Sequence, residues 1–548
     1  MLGRRSLVAS CLTVPLMTMA ACDDGANGST TPMLGAAPAD SANADSHVGA
    51  DPPASNEAGQ GMATVSSPGE VTPTPRLDLG TPPEGEGEVP VPEMPDLGSF
   101  TKTTLHERSG EPVALAVLPD GRVLHTVRGG RVWLHGLDGT NSVAADIPVY
   151  SHDEDGLQGI ALDPGFSVEP WIYIYYSPQL ATPPGDAPIT GDAATWQPYF
   201  GVNRLSRFLF DGNALNLGSE QMILEVPGDR GICCHTGGHI DFDGAGNLYL
   251  STGDDTNPGM SDGYTPIDER PDRNPGLDAQ RSAGNTADLR GKLLRIHVEN
   301  NGTYTIPEGN LFPPGTAGTR PEIYAMGLRN PYRFAVNRAT NEVYLADYAP
   351  DNGMTNPTRG PAATGKWLVV RRAANYGWPY CIGHLAYVDY DFATATSGAP
   401  FNCNNPRNES PRNTGLVELP AVTDPELVYN YGFKAGYPEL GGGGIGPMAG
   451  PMYVFDPAST SPIKWPRQYS GGIVFYEWTR DLVALFRLGD TGALSSVDQF
   501  LPPEVTVQNP IDVEFGPDGA LYVLEYGEGY YRANVDAQLS RIEYRRSP

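Results

Sequence analysis

The sequence predicts an all-β protein assembled from many short strands, and three observations carry that expectation. Glycine (66) and proline (53) are abundant over 548 residues, a composition that favours short strands joined by tight turns. No long stretch carries the 3.6-residue period of an amphipathic helix. A turn-and-strand unit recurs. It reads Pro119-Asp120-Gly121-Arg122-Val123-Leu124, then Gly244-Ala245-Gly246-Asn247-Leu248-Tyr249-Leu250, then Ala339-Thr340-Asn341-Glu342-Val343-Tyr344-Leu345, and last Pro517-Asp518-Gly519-Ala520-Leu521-Tyr522-Val523. Another β-rich run precedes each copy, such as Gly238 to Phe242 or Val513 to Phe515. A tight turn between two such runs is the hairpin of a β-propeller blade, with an array of β-sandwiches as the rival. The copies are unevenly spaced, so long insertions interrupt the blades, and spacing alone does not give the blade number.

A chain of this length needs several domains or one large closed repeat architecture. Hydrophobic residues make up 39% and charged residues 18%, which excludes wholesale disorder. The formal net charge of -29 repels phosphate backbones and excludes a nucleic-acid partner. At the N-terminus Arg4 and Arg5 precede a short, mainly apolar run from Ser6 to Ala21, too short to span a membrane as a mature helix. The run ends in Met19-Ala20-Ala21-Cys22, which resembles a bacterial lipobox, so Cys22 is the expected lipidation site. Arg4-Arg5-Ser6-Leu7 loosely resembles a twin-arginine signal. Residues 22–98 are rich in Ala, Gly, Pro, Ser, Thr and acid, and read as a disordered tether. The expected organisation is therefore a signal peptide over 1–21, a tether over 22–98 and a propeller over 99–548. The implied location is the bacterial cell envelope, with contact to the membrane through lipid alone.

Cys11 leaves with the signal and Cys22 would carry lipid, which leaves Cys233, Cys234, Cys381 and Cys403. An even count in an exported protein reads as disulfides, and four cysteines allow three connectivities. We expect Cys381 with Cys403, a loop closure that stabilises by roughly 3 kcal/mol. Cys233-Cys234 is then a vicinal pair, as an adjacent disulfide or as two thiols. Zinc is the rival, without a CxxC pair to support it.

Three stretches carry candidate chemistry. In Cys233-Cys234-His235-Thr236-Gly237-Gly238-His239, a histidine sits where a loop enters a strand, and glycines let a ligand approach the backbone. An imidazole there can take a proton near neutral pH. The strand that follows ends in Ser251-Thr252-Gly253-Asp254-Asp255. In Gly327-Leu328-Arg329-Asn330-Pro331, the guanidinium can donate two parallel hydrogen bonds to carboxylate or quinone oxygens. Asn375-Tyr376-Gly377-Trp378-Pro379 offers aromatic faces. Singly, each has a plainer reading: a hydrogen-bonded loop histidine, a surface ion pair, core packing.

Their order along the chain resembles the soluble PQQ-dependent glucose/sorbosone (aldose sugar) dehydrogenase family. So do Leu118-Pro119-Asp120-Gly121-Arg122, Gly156-Leu157-Gln158-Gly159-Ile160-Ala161-Leu162-Asp163-Pro164-Gly165-Phe166 and Leu289-Arg290-Gly291-Lys292-Leu293-Leu294-Arg295-Ile296. The chain looks closest to a divergent branch with the Cys-Cys-His-Thr-Gly-Gly form. The resemblance implies a six-bladed propeller with quinone and calcium at the mouth of the central channel. It places His235 at the general base, taking the anomeric hydroxyl proton while hydride leaves C1 for the quinone. Arg329 and Asn330 fall on the pair at the cofactor's reactive carbonyls, and Tyr376 and Trp378 on the rim. Asp347, Ala349 and Pro350 fall on the segment whose backbone carbonyls hold calcium. A sugar and an external electron acceptor are the implied partners.

The departures are specific. Glu154 stands where the family has a glutamine beside the cofactor. Asn509-Pro510-Ile511-Asp512 stands where related dehydrogenases carry two arginines for the cofactor's carboxylates. Arg480 is an inexact counterpart of a cofactor-binding lysine, and an acidic residue of the calcium segment is replaced around Lys366. Two other functions stay open: a non-catalytic carbohydrate-binding propeller on the cell surface, and a calcium-dependent hydrolase built on Glu154, Asp254 and Asp347.

Overall fold

The computed structural model describes residues 99–545 except 258, 530 and 531. The expected signal segment, Cys22 and the tether over 22–98 lie outside the described residues.

Six units with four antiparallel strands each form the ring, and the third is widened by Tyr304–Thr305 and by Ala374–Asn375, which pairs in parallel. Blade one is Pro112–Val117, Val123–Val127, Arg131–His135 and Asn141–Asp146. Blade two is Leu157–Leu162, Trp171–Tyr176, Phe200–Phe210 and Leu215–Asp229. Blade three is Gly237–Phe242, Asn247–Thr252, Lys292–Val298 and Ile323–Met326. Blade four is Phe334–Val336, Val343–Ala349, Thr364–Val370 and Leu427–Tyr429. Blade five is Pro447–Met452, Ile473–Glu477, Leu482–Leu488 and Leu494–Asp498. Blade six takes Pro510–Phe515, Leu521–Glu525 and Gln538–Tyr544 from the C-terminal part of the chain, and its outer strand is Phe100–Glu107 from the N-terminal part. The first strand of each blade touches the first strands of both neighbours, so six strands close a ring around a central channel. The protein is a six-bladed β-propeller.

The four recurring turn units are the inner hairpins of blades one, three, four and six. Helix is confined to Ala193–Trp196 and short 3-10 turns among the described residues. The insertions leave the ring within blades three and four. One spans 253–291, and another spans 371–426 and carries two small hairpins. Cys381 and Cys403 are disulfide-bonded across the second, with Cα atoms 5.9 Å apart. The vicinal pair resolves as a Cys233–Cys234 disulfide.

Inner strands leave backbone amides on the channel side without a ladder partner, and these must be satisfied another way. Carboxylates of the next blade do this. Leu115 N–H donates to Asp512 (2.8 Å), Val117 N–H to Glu514 (2.8 Å) and Val336 N–H to Asp241 (2.7 Å). Arg333, fully buried on blade four, reaches the opposite side of the ring. Its guanidinium donates to the carbonyls of Val113 and Ile511 and pairs with Asp512 at 3.4 Å. Beyond it, the ends of the inner strands line a cavity of about 640 Å³.

A cluster of histidines joins blade one to the closing strand. His125 Nδ1 lies 2.6 Å from His135 Nε2, and His106 packs on His135 with ring centroids 4.6 Å apart. Burial, with the neighbouring His135, pushes His125 down to about 3, and burial pushes His135 down to about 4. Both are thus neutral when folded, whereas the unfolded chain protonates near 6.5. Stability is full above that value and is lost as pH falls from 6.5 toward 4. We expect His125 alone to remove about 2–3 kcal/mol between pH 6.5 and 4.5, at about 1.36 kcal/mol per unit. Urea unfolding of wild type and His125→Leu at the two pH values checks this. The difference between the two chains should shrink at the lower pH.

Candidate active site

The site is built where loops enter blades two, three and four, at the ring end opposite the cavity. In blade three Gly237 pairs with Thr252 across the inner hairpin. Continuing that register by two residues sets His235 opposite Asp254, on one face because side chains alternate. His235 Nδ1 lies 2.7 Å from Asp254 Oδ1, and both residues are buried. A carboxylate accepts, so Nδ1 carries a proton, and in the neutral imidazole Nε2 presents its lone pair. Among the described residues nothing hydrogen-bonds Nε2.

Backbone geometry enforces this. His235 has φ +67°, in the left-handed region that a non-glycine residue rarely adopts. At Gly238 a Cβ would stand 2.6 Å from Gln158 Cβ, and at Gly253 it would run into the His235 carbonyl. Only glycine allows the two loops to close on the histidine.

Asp254 is the hub. Its Oδ1 also accepts from Thr256 Oγ1 (2.9 Å), and its Oδ2 accepts from Trp378 Nε1 (2.7 Å). Its own N–H donates to the Arg329 carbonyl at 2.7 Å. The Arg329 guanidinium is buried, 5.0 Å from the centre of the Tyr348 ring and 5.8 Å from that of Trp378. It donates to Asp351 Oδ2 at 2.5 Å, while Tyr348 O–H donates to Asp351 Oδ1 at 2.7 Å. Burial works against the charge, but Asp351 and the surrounding Tyr348, Asp254 and Asp347 hold the Arg329 pKa above its ordinary value. The backbone N–H groups of Arg329 and Asn330 donate to Asp347, whose other close partner is Lys366 Nζ at 2.7 Å. Base and guanidinium therefore meet through one carboxylate and one indole.

The glucose/sorbosone dehydrogenase family model matches residues 109–406, more than half of the chain. The chain belongs to the glucose/sorbosone dehydrogenase family. It is 28% identical over 295 residues to the aldose sugar dehydrogenase YliI of Escherichia coli K12, a match covering 53% of this chain and 65% of that protein. It is 20% identical over 307 residues to quinoprotein glucose dehydrogenase B of Acinetobacter calcoaceticus, covering 55% of this chain and 57% of that one. The chain thus spans less than two thirds of either relative. The soluble aldose sugar dehydrogenase of E. coli in its apo form has a similar fold. Its TM-score is 0.51 at 20% identity, over 81% of this chain and all of that structure.

Not every residue that the family resemblance nominates joins the network. His235, Arg329 and Trp378 do, and Asn330 lies beside them with its Oδ1 buried and unpartnered among the described residues. Tyr376 packs instead among Leu293, Tyr324, Leu328 and Leu368 in the core. Arg480 spends its guanidinium on the carbonyls of Asn430, Leu440, Gly441 and Gly444, over the Tyr429 ring. Asp347 spends its carboxylate on two N–H groups and an ammonium, which leaves the backbone carbonyl as the atom that the resemblance nominates for calcium. Ala349 offers a carbonyl that already accepts from Thr364 Oγ1 (2.7 Å), with Pro350 next in the chain. Glu154 turns toward the base loop rather than a cation: its Oε2 accepts from the N–H groups of His235 (2.7 Å) and Thr236 (3.2 Å). Asp351 escaped the sequence reading because it lies one residue past the Asp347–Pro350 segment, with no motif of its own.

Proposed function

We propose that this chain oxidises an aldose at C1 with PQQ as its quinone and an external acceptor taking the electrons. The observation that carries the reading is the open Nε2 lone pair of His235, fixed by Asp254 and joined through it to a buried guanidinium. Named relatives with sugar dehydrogenase activity support it, as does family membership.

The residues fit the reacting end of a quinone. A buried arginine suits an electron-poor carbonyl, and an orphaned asparagine oxygen and an imidazole with a free nitrogen suit the sugar hydroxyl beside it. Arg329 and Asn330 would hold that end. When bound, the quinone supplies the acceptor for the C1 hydride. His235 Nε2 takes the anomeric hydroxyl proton, and Asp254 stabilises the imidazolium that results. Arg329, paired with Asp351, would offer its remaining N–H donors to that carbonyl in a dry setting, where they count for more than in water. Calcium would rest on the backbone carbonyls of the Asp347–Pro350 segment, without the Asp347 carboxylate, which is committed to Lys366. Attachment to the cell envelope by lipid at Cys22 completes the reading.

Titrating purified protein with PQQ, with and without calcium, tests it. We expect saturable absorbance changes and dye-linked oxidation of at least one aldose. No gain across a broad sugar panel would overturn the redox reading. A second reading, a sugar-binding propeller without quinone, is favoured by the committed Arg480. It expects glycan binding with no quinone absorbance.

A further inference from the structure

We propose that Glu154 is a positioning residue for His235, and that it fastens the base to a neighbouring blade. This deepens the proposed function and rests on it only for the word base. The observation is independent: a single carboxylate oxygen from the loop entering blade two accepts two successive N–H groups, those of His235 and Thr236, in the loop entering blade three. Thr236 O–H donates back to the Glu154 carbonyl at 3.3 Å. Successive N–H groups around a left-handed residue form a concave nest that favours an anion. At His235 the nest is filled from within the chain.

The clamp has a second jaw. The His235 carbonyl accepts from Asp255 N–H at 3.3 Å, so the residue is held at both ends of its backbone. The imidazole is then held at Nδ1 by Asp254. A left-handed histidine costs about 1–2 kcal/mol and reverts unless its surroundings over-determine it. Asp255 and Asp254 belong to blade three itself. Glu154 is the contact from outside, and it makes the direction of Nε2 depend on the packing of two blades. Glu154 therefore acts through His235.

The test uses the full chain with Glu154→Ala and Glu154→Gln, and two readouts. The first needs no cofactor. Nitrogen NMR of the histidine side chains, with His235→Asn identifying the resonance, reports the tautomer of His235. We expect wild type to show one tautomer, protonated at Nδ1. Glu154→Ala should show exchange between tautomers, and Glu154→Gln should fall between it and wild type, since an amide oxygen fills the nest without the charge. The second readout is turnover with PQQ. A displaced imidazole should lower kcat about 100-fold in Glu154→Ala with little change in KM for sugar. An unaltered His235 resonance in Glu154→Ala overturns the proposal, as does unaltered kcat in an active enzyme. If the resonance changes but wild type oxidises no sugar, the positioning stands and the redox reading falls.

Discussion

Asp254→Asn is expected to lower kcat about 10³–10⁴-fold while the propeller remains folded. The side chain keeps its size; its Oδ1 can still accept from Trp378 Nε1, and its Nδ2 can donate to the Thr256 hydroxyl, groups 2.7 Å and 2.9 Å from the native carboxylate. What changes is the group facing His235 Nδ1 at 2.7 Å. With its oxygen on the Trp378 side, asparagine presents an amide that donates where the carboxylate accepted. The imidazole then moves its proton to Nε2, the nitrogen that must take the sugar proton, and a donor stands where a base is required. His235→Asn should lower kcat by about 10²–10⁴-fold, the contribution of general base catalysis. The double variant should be little worse than either single one, since the two act as a unit. Steady-state kinetics with a fixed aldose, beside far-ultraviolet spectra and melting curves, checks all three. Additive losses in the double variant would mean that Asp254 serves something other than His235.

The ring and its hairpins were legible because their signal is local. A Gly or Asn turn followed by β-branched and aromatic residues needs nothing distant to be recognised, and it marked blades one, three, four and six. Blades two and five escaped for a physical reason. Their inner hairpins close through longer loops, between Leu162 and Trp171 and between Met452 and Ile473, so no tight turn feeds the second strand directly. The blade count came from family resemblance for the same reason.

At the site, the residues with the strongest side-chain chemistry could be named in advance. Their partners could not. That Asp254 serves His235 follows from strand register, which a sequence does not print until the hairpin is known. The commitment of Arg480 to four carbonyls is a tertiary fact, and so is the pairing of Lys366 with Asp347. A charged residue read along a line looks available. Folding decides whether its charge is already spent.

Closure of the ring concentrates stability in one side chain. Phe100→Ala is expected to cost about 3–5 kcal/mol, the range for emptying a buried aromatic site. Phe100 is 2% exposed and meets Trp465, Tyr469, Phe500 and Tyr544 edge to face, with centroids 5.1–5.4 Å apart. These contacts pin the strand Phe100–Glu107 against Gln538–Tyr544, register Phe100 to Tyr544. No other strand covers that edge among the described residues. If the strand loosens, Gln538–Tyr544 presents unpaired amides and carbonyls, and blade six loses its fourth strand. Blade six also supplies Asp512 and Glu514, which hold Leu115 and Val117 of blade one. The defect should therefore spread across the seam instead of staying at the terminus, so unfolding remains a single transition at lower denaturant. Thr101→Ala, on the solvent side of the same strand, should shift stability by no more than about 0.5 kcal/mol. Urea unfolding followed by tryptophan fluorescence separates the outcomes. A separate early transition in Phe100→Ala, with the main one unmoved, would show that the strand is an appendage and that the other blades close the ring without it.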